Sequence, residues 1–174
     1  MFLGLVLSAA AQPARLIVIR HAEKPEDARD ARLSEEGRQR AQRLVKWLAQ
    51  GKALGTNGPP AALFAARPTP KGRSLRCVET LEPTARHLGI AIRAPYEAED
   101  YQRLAWLVLR DGSLQGKNVV ICWTHSELPE LAEALGVKPK PSKWKDGDFE
   151  SAYLITFPGG KATLEKAKQK LKKT

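Results

Sequence analysis

Arg20 and His21 stand together at the end of a short apolar run, Leu16 to Ile19, and His125 follows a second such run, Val119 to Trp123, through Thr124. Another arginine, Arg76, comes just after the Pro- and Gly-containing stretch Arg67 to Arg73. An Arg-His pair by itself is ordinary solvated loop. Delivered by buried strands to one sheet edge, two arginines and two histidines would surround one point. That set suits a phosphoryl group. Arginine presents a planar fork of donors matched to phosphate oxygens. Neighbouring cations disfavour imidazolium, so one histidine stays neutral and nucleophilic at neutral pH. A nucleophile beside bound phosphorus gains from proximity, and the other groups stabilise charge on the equatorial oxygens. This chemistry calls for no metal or other cofactor, and the sequence contains no metal-ligand spacing.

The elements that must position these residues are legible from periodicity. Leu16 to Ile19 reads as a strand buried on both faces, and Val119 to Trp123 as a second. A loop runs from Arg20 to Arg32. Ser34 then caps a helix, with Glu35 and Glu36 at its positive end and Ala41, Leu44, Val45 and Leu48 at helical spacing. Gly51 to Pro60 is a loop, and Ala61 to Ala65 a short strand. A helix begins near Ser74 and continues through Thr80, with Thr84 to Leu88 as a distinct turn after Pro83. Ile90 to Ala94 reads as an edge strand, Tyr101 to Leu109 and Pro129 to Leu135 as helices, and Ala152 to Phe157 as a last strand. Strands alternating with helices predict an α/β/α sandwich with a mostly parallel central sheet. In such sheets ligands collect at the carboxyl ends of the strands, where Arg20-His21 and Thr124-His125 fall.

Composition fits a globular chain of one domain: 174 residues, 43% hydrophobic and 28% charged. The net charge of +10 favours anionic partners. From Lys161 onward six lysines face one acid, Glu165, so half of that excess sits in a basic tail (161–174), read as a short helix over Ala162 to Leu171 with a solvated lysine face. Residues 1–12 carry no charged side chain, Phe2 to Ala11 is apolar and Ser8 to Gln12 offers small residues for cleavage, which resembles the end of a signal peptide; export, periplasmic or secreted, is the expectation, with a cytoplasmic protein as the alternative. The span is too short to cross a bilayer, and no other stretch reads as transmembrane. Residues 13–160 form the single domain. Cys77 and Cys122 read as small buried side chains. Trp47, Trp106 and Trp144 read as packing residues, not a stacking platform for bases, and nothing marks a specific nucleic-acid binder.

The segment Leu16-Ile17-Val18-Ile19-Arg20-His21-Ala22-Glu23-Lys24-Pro25 resembles the signature of the histidine phosphatase (phosphoglycerate mutase-like) superfamily. Leu33 to Ala41 is similar to its second motif, Arg76 to Thr80 to the helix carrying its second arginine, and Val119 to His125 to the strand ending in its second histidine. The blocks follow the family's order from about residue 15 to residue 157. The resemblance implies that His21 is the phosphorylated nucleophile and that Arg20, Arg76 and His125 complete the phosphate pocket. Ala65-Ala66 replaces the family's serine before the second arginine, which leaves Arg67 and Arg73 as further candidates for that role.

Hydrolysis of an alkyl phosphate also needs an acid near the leaving oxygen. Glu97 best matches the place where one branch of the family carries its glutamate. Glu99, Asp100 and Glu127 are alternatives; Ser126 holds the position where another branch has an aspartate. The expected activity is metal-independent hydrolysis of a phosphorylated small molecule through a phosphohistidine. The alternatives are a phosphohistidine protein phosphatase and a catalytically silent anion-binding member of the fold.

Overall fold

The computed structural model describes residues 12–27 and 29–171, so the expected leader lies outside the described residues except for Gln12. Six strands form one mixed sheet: β1 (Arg15–Arg20), β2 (Ala62–Ala65), β3 (Ile92–Arg93), β4 (Asn118–Trp123), β5 (Ser151–Thr156) and β6 (Thr163–Lys168), in the order β3-β2-β4-β1-β5-β6. Four α-helices connect them: α1 (Glu35–Gln50), α2 (Leu75–Leu88), α3 (Tyr101–Arg110) and α4 (Leu128–Ala134). Helix α1 packs on α2, and α3 on α4, giving the expected three-layer α/β/α architecture. No helix among the described residues is long and apolar enough to cross a membrane.

The two apolar runs become neighbouring central strands because neither has a polar face to turn to water. From Leu16 to Ile19 and from Val119 to Trp123 every side chain is buried. They pair in parallel with Arg20 opposite Trp123, so both strands end at the same level. That register decides the site, since the residues leaving the two ends emerge side by side. Strand β2 is parallel to β4, and β3 to β2. Strand β5 is antiparallel to β1 and closes its other side.

Helix α1 starts as its sequence dictates: the Ser34 hydroxyl accepts from the Gly37 N–H at 3.0 Å, and Glu35 and Glu36 occupy the first turn. Gly37 is required by close approach. A Cβ there would lie 2.3 Å from the Glu23 carbonyl oxygen, so the helix start presses on the loop that follows His21.

Three expectations are corrected. Helix α2 runs without a break from Leu75 to Leu88, with Pro83 inside it. The lost hydrogen bond is offset by burial, because Thr80, Leu81, Pro83 and Thr84 all face the interior. The basic tail is not a helix. Residues 163–168 pair antiparallel with β5, Thr163 opposite Thr156, and extend the domain's sheet beyond residue 160. Leu164 and Ala167, three residues apart, share a face in a helix and fall on opposite faces in a strand; the unpaired edge of β5 nevertheless offers a ladder, and Gly159 and Gly160, both at positive φ, reverse the chain onto it. Lys166 and Lys168 then charge the new edge, as edge strands require. Finally, Trp106 does not pack: it is 62% exposed on α3, whereas Trp144 is buried edge-on against Tyr153 and Trp47 is half-buried.

Candidate active site

His21 leaves the end of β1 and is only 7% exposed. Its Nδ1 lies 2.7 Å from the Ala22 carbonyl oxygen. A carbonyl can only accept, so Nδ1 carries the proton and Nε2 keeps its lone pair. Burial pushes the ring's pKa down to about 4, helped by the charges of Arg20 and Arg76 and only partly opposed by the Ala22 hydrogen bond. At neutral pH the ring is therefore an uncharged base of fixed tautomer.

His125 faces it across the gap between the strand ends, the two rings edge to face with centroids 6.5 Å apart. Partial burial and Arg20 lower the His125 pKa, while Asp146 and Glu127 raise it. Asp146 Oδ1 stands 3.4 Å from His125 Nε2.

The helix after the loop, α2, holds the His21 segment at three points. The Ala22 N–H donates to Thr80 Oγ1 at 2.9 Å, and that hydroxyl donates to the Arg76 carbonyl at 2.7 Å. The Leu33 N–H donates to Glu79 Oε2 at 2.6 Å. The Arg76 guanidinium donates to the carbonyls of Arg32, at 3.0 Å, and Asp30. On the other side a half-buried pair, Arg40 with Glu23 at 2.6 Å, ties α1 to the same loop. The Ser34 N–H adds a bond to the Glu23 carbonyl at 3.0 Å.

His21, Arg76 and His125 line one cleft of about 370 Å³, together with Lys71, Arg73 and Glu127. Arg20 is placed differently from the other three. It is buried behind them, its guanidinium 3.9 Å over the Phe149 ring and donating to the Asp146 carbonyl at 2.5 Å. It acts on both histidines through its charge. Burial lowers its own pKa, which Asp146 and Asp148 counteract.

The carboxylates separate. Glu97 is absent from the cleft lining; it precedes the short turn Ala98–Asp100 without capping it and pairs with Arg67 at 3.5 Å. Backbone direction explains this: Glu97 is extended, and the chain then turns Ala98 and Glu99 toward the cleft. Asp100 lies 3.7 Å from Arg103 and is not among the lining residues either. Glu99 reaches the cleft but is ion-paired with Arg73. Glu127 reaches it from the β4 side, where its Oε2 accepts from the hydroxyls of Thr124 and Ser126. Of the further arginine candidates, Arg73 lines the cleft, whereas Arg67 turns away to the Pro95 carbonyl and Glu97.

Sequence reasoning missed Thr80 and Glu79 as the clamps of the His21 loop, and Asp146 and Phe149 as the partners of His125 and Arg20. Thr80 and Glu79 sit in the quoted Arg76 block, one helical turn beyond the arginine, which is the signal that places them on its face. Asp146 and Phe149 come from a stretch without periodicity, and only the turn-forming Asp-Gly-Asp sequence at 146–148 marks it.

Neither a protein-family model nor a curated protein sequence matches the chain. Solved structures do. The protein histidine phosphatase SixA, complexed with tungstate, has a TM-score of 0.59 at 15% identity over 89% of this chain and 97% of its own. The mycobacterial glucosyl-3-phosphoglycerate phosphatase, holding inorganic phosphate, has a TM-score of 0.57 at 14% identity over 87% and 95%. Phosphoglycerate mutase from Bacillus anthracis has a TM-score of 0.56 at 12% identity over 91% and 94%. With β1 and β4 ending at one level under a histidine pair, the chain has the phosphoglycerate mutase-like fold of the histidine phosphatases.

Proposed function

We propose that this protein is a phosphatase that hydrolyses phosphate monoesters through a phosphohistidine on His21. The observation that carries the reading is the buried His21 ring, its Nδ1 proton held by the Ala22 carbonyl, at a cleft lined by Arg76 and His125. Two of the similar structures hold phosphate-like anions, tungstate in one and phosphate in the other, which supports a phosphoryl pocket in this fold.

In the first step Nε2 of His21 attacks phosphorus, forming the N–P bond as the bond to the ester oxygen breaks. The Nδ1–H···O bond stays in place and stabilises the imidazolium character that develops. Arg76 and His125, with Arg20 behind them, offset charge on the transferring oxygens. We assign proton donation to Glu127 in place of Glu97, because Glu127 faces the cleft and Glu97 does not. Its acid form protonates the leaving oxygen; as the carboxylate it then takes a proton from the water that attacks the phosphohistidine. The arginines supply the positive charge that phosphoryl transfer needs, so activity is expected to persist with a chelator. On the same footing we read the apolar start as an export leader; sequencing the N-terminus of the recovered protein tests that.

The experiment is hydrolysis of an aryl phosphate by the wild type and His21→Ala, with chelator present, combined with an acid-quench search for labelled phosphohistidine. Activity and label confined to the wild type support the mechanism. Equal rates in both proteins would sink it.

A further inference from the structure

Gln169 follows β6 directly, among the lysines of the basic tail, and only 3% of it is exposed. A buried amide needs partners for both of its ends. This one finds them on two different segments. Its Nε2 donates to the Ser151 carbonyl at 3.2 Å, and its Oε1 accepts from the Arg40 guanidinium at 3.5 Å. These partners fix which way the amide points, since a carbonyl only accepts and a guanidinium only donates. The Gln169 backbone N–H donates to the Glu150 carbonyl at 2.8 Å.

Both segments lead to His21. On one side Arg40 pairs with Glu23, two residues beyond the histidine, at 2.6 Å. The other Glu23 oxygen, Oε2, is buried and has no hydrogen-bond partner among the described residues, so Arg40 orients that carboxylate. On the other side Glu150 and Ser151 follow the loop that cradles Arg20 with the Asp146 carbonyl and the Phe149 ring. The Phe149 ring centroid also lies 6.2 Å from that of His21. Strand β6 secures this loop a second time through Asp148. That carboxylate accepts from the Ser151 N–H at 2.9 Å and hydroxyl at 2.6 Å, and pairs with Lys168 at 3.2 Å and Lys166 at 3.7 Å.

We propose that Gln169 is a positioning residue of the catalytic centre: by bridging Arg40 and Ser151 it sets the spacing of the two segments that flank His21, one carrying Glu23 and the other Phe149. The C-terminal segment thus completes the site as well as covering the edge of β5. Gln169 does not line the cleft and acts through its two partners. Without the bridge the flanks separate and water reaches a ring whose low pKa depends first on burial. The inference rests on the phosphatase reading for its effect on turnover, and on the fold alone for its effect on the His21 ring.

The test sets Gln169→Met, which keeps the side-chain length and removes both bonds, against Asn118→Ala. Asn118 is likewise a buried amide, donating to the carbonyls of Leu54 at 2.9 Å and Gly58 at 2.7 Å, but it begins β4 at the end of the sheet away from the site. Both variants of the full chain are expected to unfold at lower urea than the wild type. The His21 ring, followed by NMR titration of its Cε1–H, is expected to titrate about one pH unit higher in Gln169→Met and at the wild-type pH in Asn118→Ala. With an aryl phosphate, kcat is expected to fall about tenfold at similar KM in Gln169→Met and to hold in Asn118→Ala. If Gln169→Met does not fold, Gln169→Asn, one methylene too short to reach both partners, takes its place. A His21 titration, or in an active protein a kcat, that stays at the wild-type value in the Gln169 variant overturns the positioning role, as does an equal change in Asn118→Ala. A titration that separates the two variants in a protein without activity on phosphate esters supports the positioning role and sinks the phosphatase reading.

Discussion

The hydroxyl of Thr80, on α2, accepts a hydrogen bond of 2.9 Å from the N–H of Ala22, the residue after His21. Both groups are buried, and the Ala22 carbonyl is the one that holds the His21 ring. One side chain on a helix thus anchors, through its N–H, the residue whose carbonyl fixes the His21 tautomer. Thr80→Val keeps the volume and removes the acceptor, leaving a buried N–H unsatisfied. The expected cost is about 1–3 kcal/mol in urea unfolding, with a fall in kcat. Thr80→Ser, which restores the hydroxyl, recovers most of kcat; a purely packing role for Thr80 predicts no such recovery.

His21 makes stability depend on pH. Its folded pKa of about 4 lies below the ordinary 6.5, so the unfolded chain binds this proton first as pH falls. The stabilising contribution is full above pH 6.5, declines between 6.5 and 4, and is gone below 4. The loss is on the order of 3 kcal/mol from this one ring. Denaturant unfolding at several pH values should show the decline in the wild type and a flatter profile in His21→Asn.

Gly37 is a steric requirement of the site. Gly37→Ala places a methyl 2.3 Å from the Glu23 carbonyl and must push α1 away from the His21 loop. The expected loss is about 2 kcal/mol or more in thermal or urea unfolding, far above the small gain that alanine brings to an open helix position. A neutral or stabilising outcome would show that the loop yields without cost.

Of the four carboxylates offered by the sequence, Glu127 and Glu97 are separated by leaving-group dependence. Glu127→Gln should slow hydrolysis of an alkyl phosphate by about 10²-fold or more and of a nitrophenyl phosphate much less, since a good leaving group needs no proton. Glu97→Gln should leave both within about twofold, as its contact is with Arg67 at the rim. The reverse ranking in steady-state kinetics would return the role to Glu97.

Much of the site was written locally. Unbroken apolar runs forced Leu16 to Ile19 and Val119 to Trp123 into the sheet centre, and a parallel central pair must release Arg20-His21 and Thr124-His125 at one edge. Arg76 followed from its place at the start of a helix. These are matters of periodicity and of which residues tolerate water. Other features depend on contacts between distant segments, and no local pattern carries those. Whether 163–168 became helix or strand was decided by the open edge of β5, whose backbone partners override a spacing of apolar residues that locally favours a helix. Arg20 was drawn behind the cleft by Phe149 and the Asp146 carbonyl, from a loop more than a hundred residues away. Glu127 rather than Glu97 faces the cleft because the backbone direction at each point is fixed by packing. The sequence by itself determined which groups leave the strand ends; the tertiary structure decided which charges stand around them, since electrostatic environment is set by distance in space and not by order in the chain.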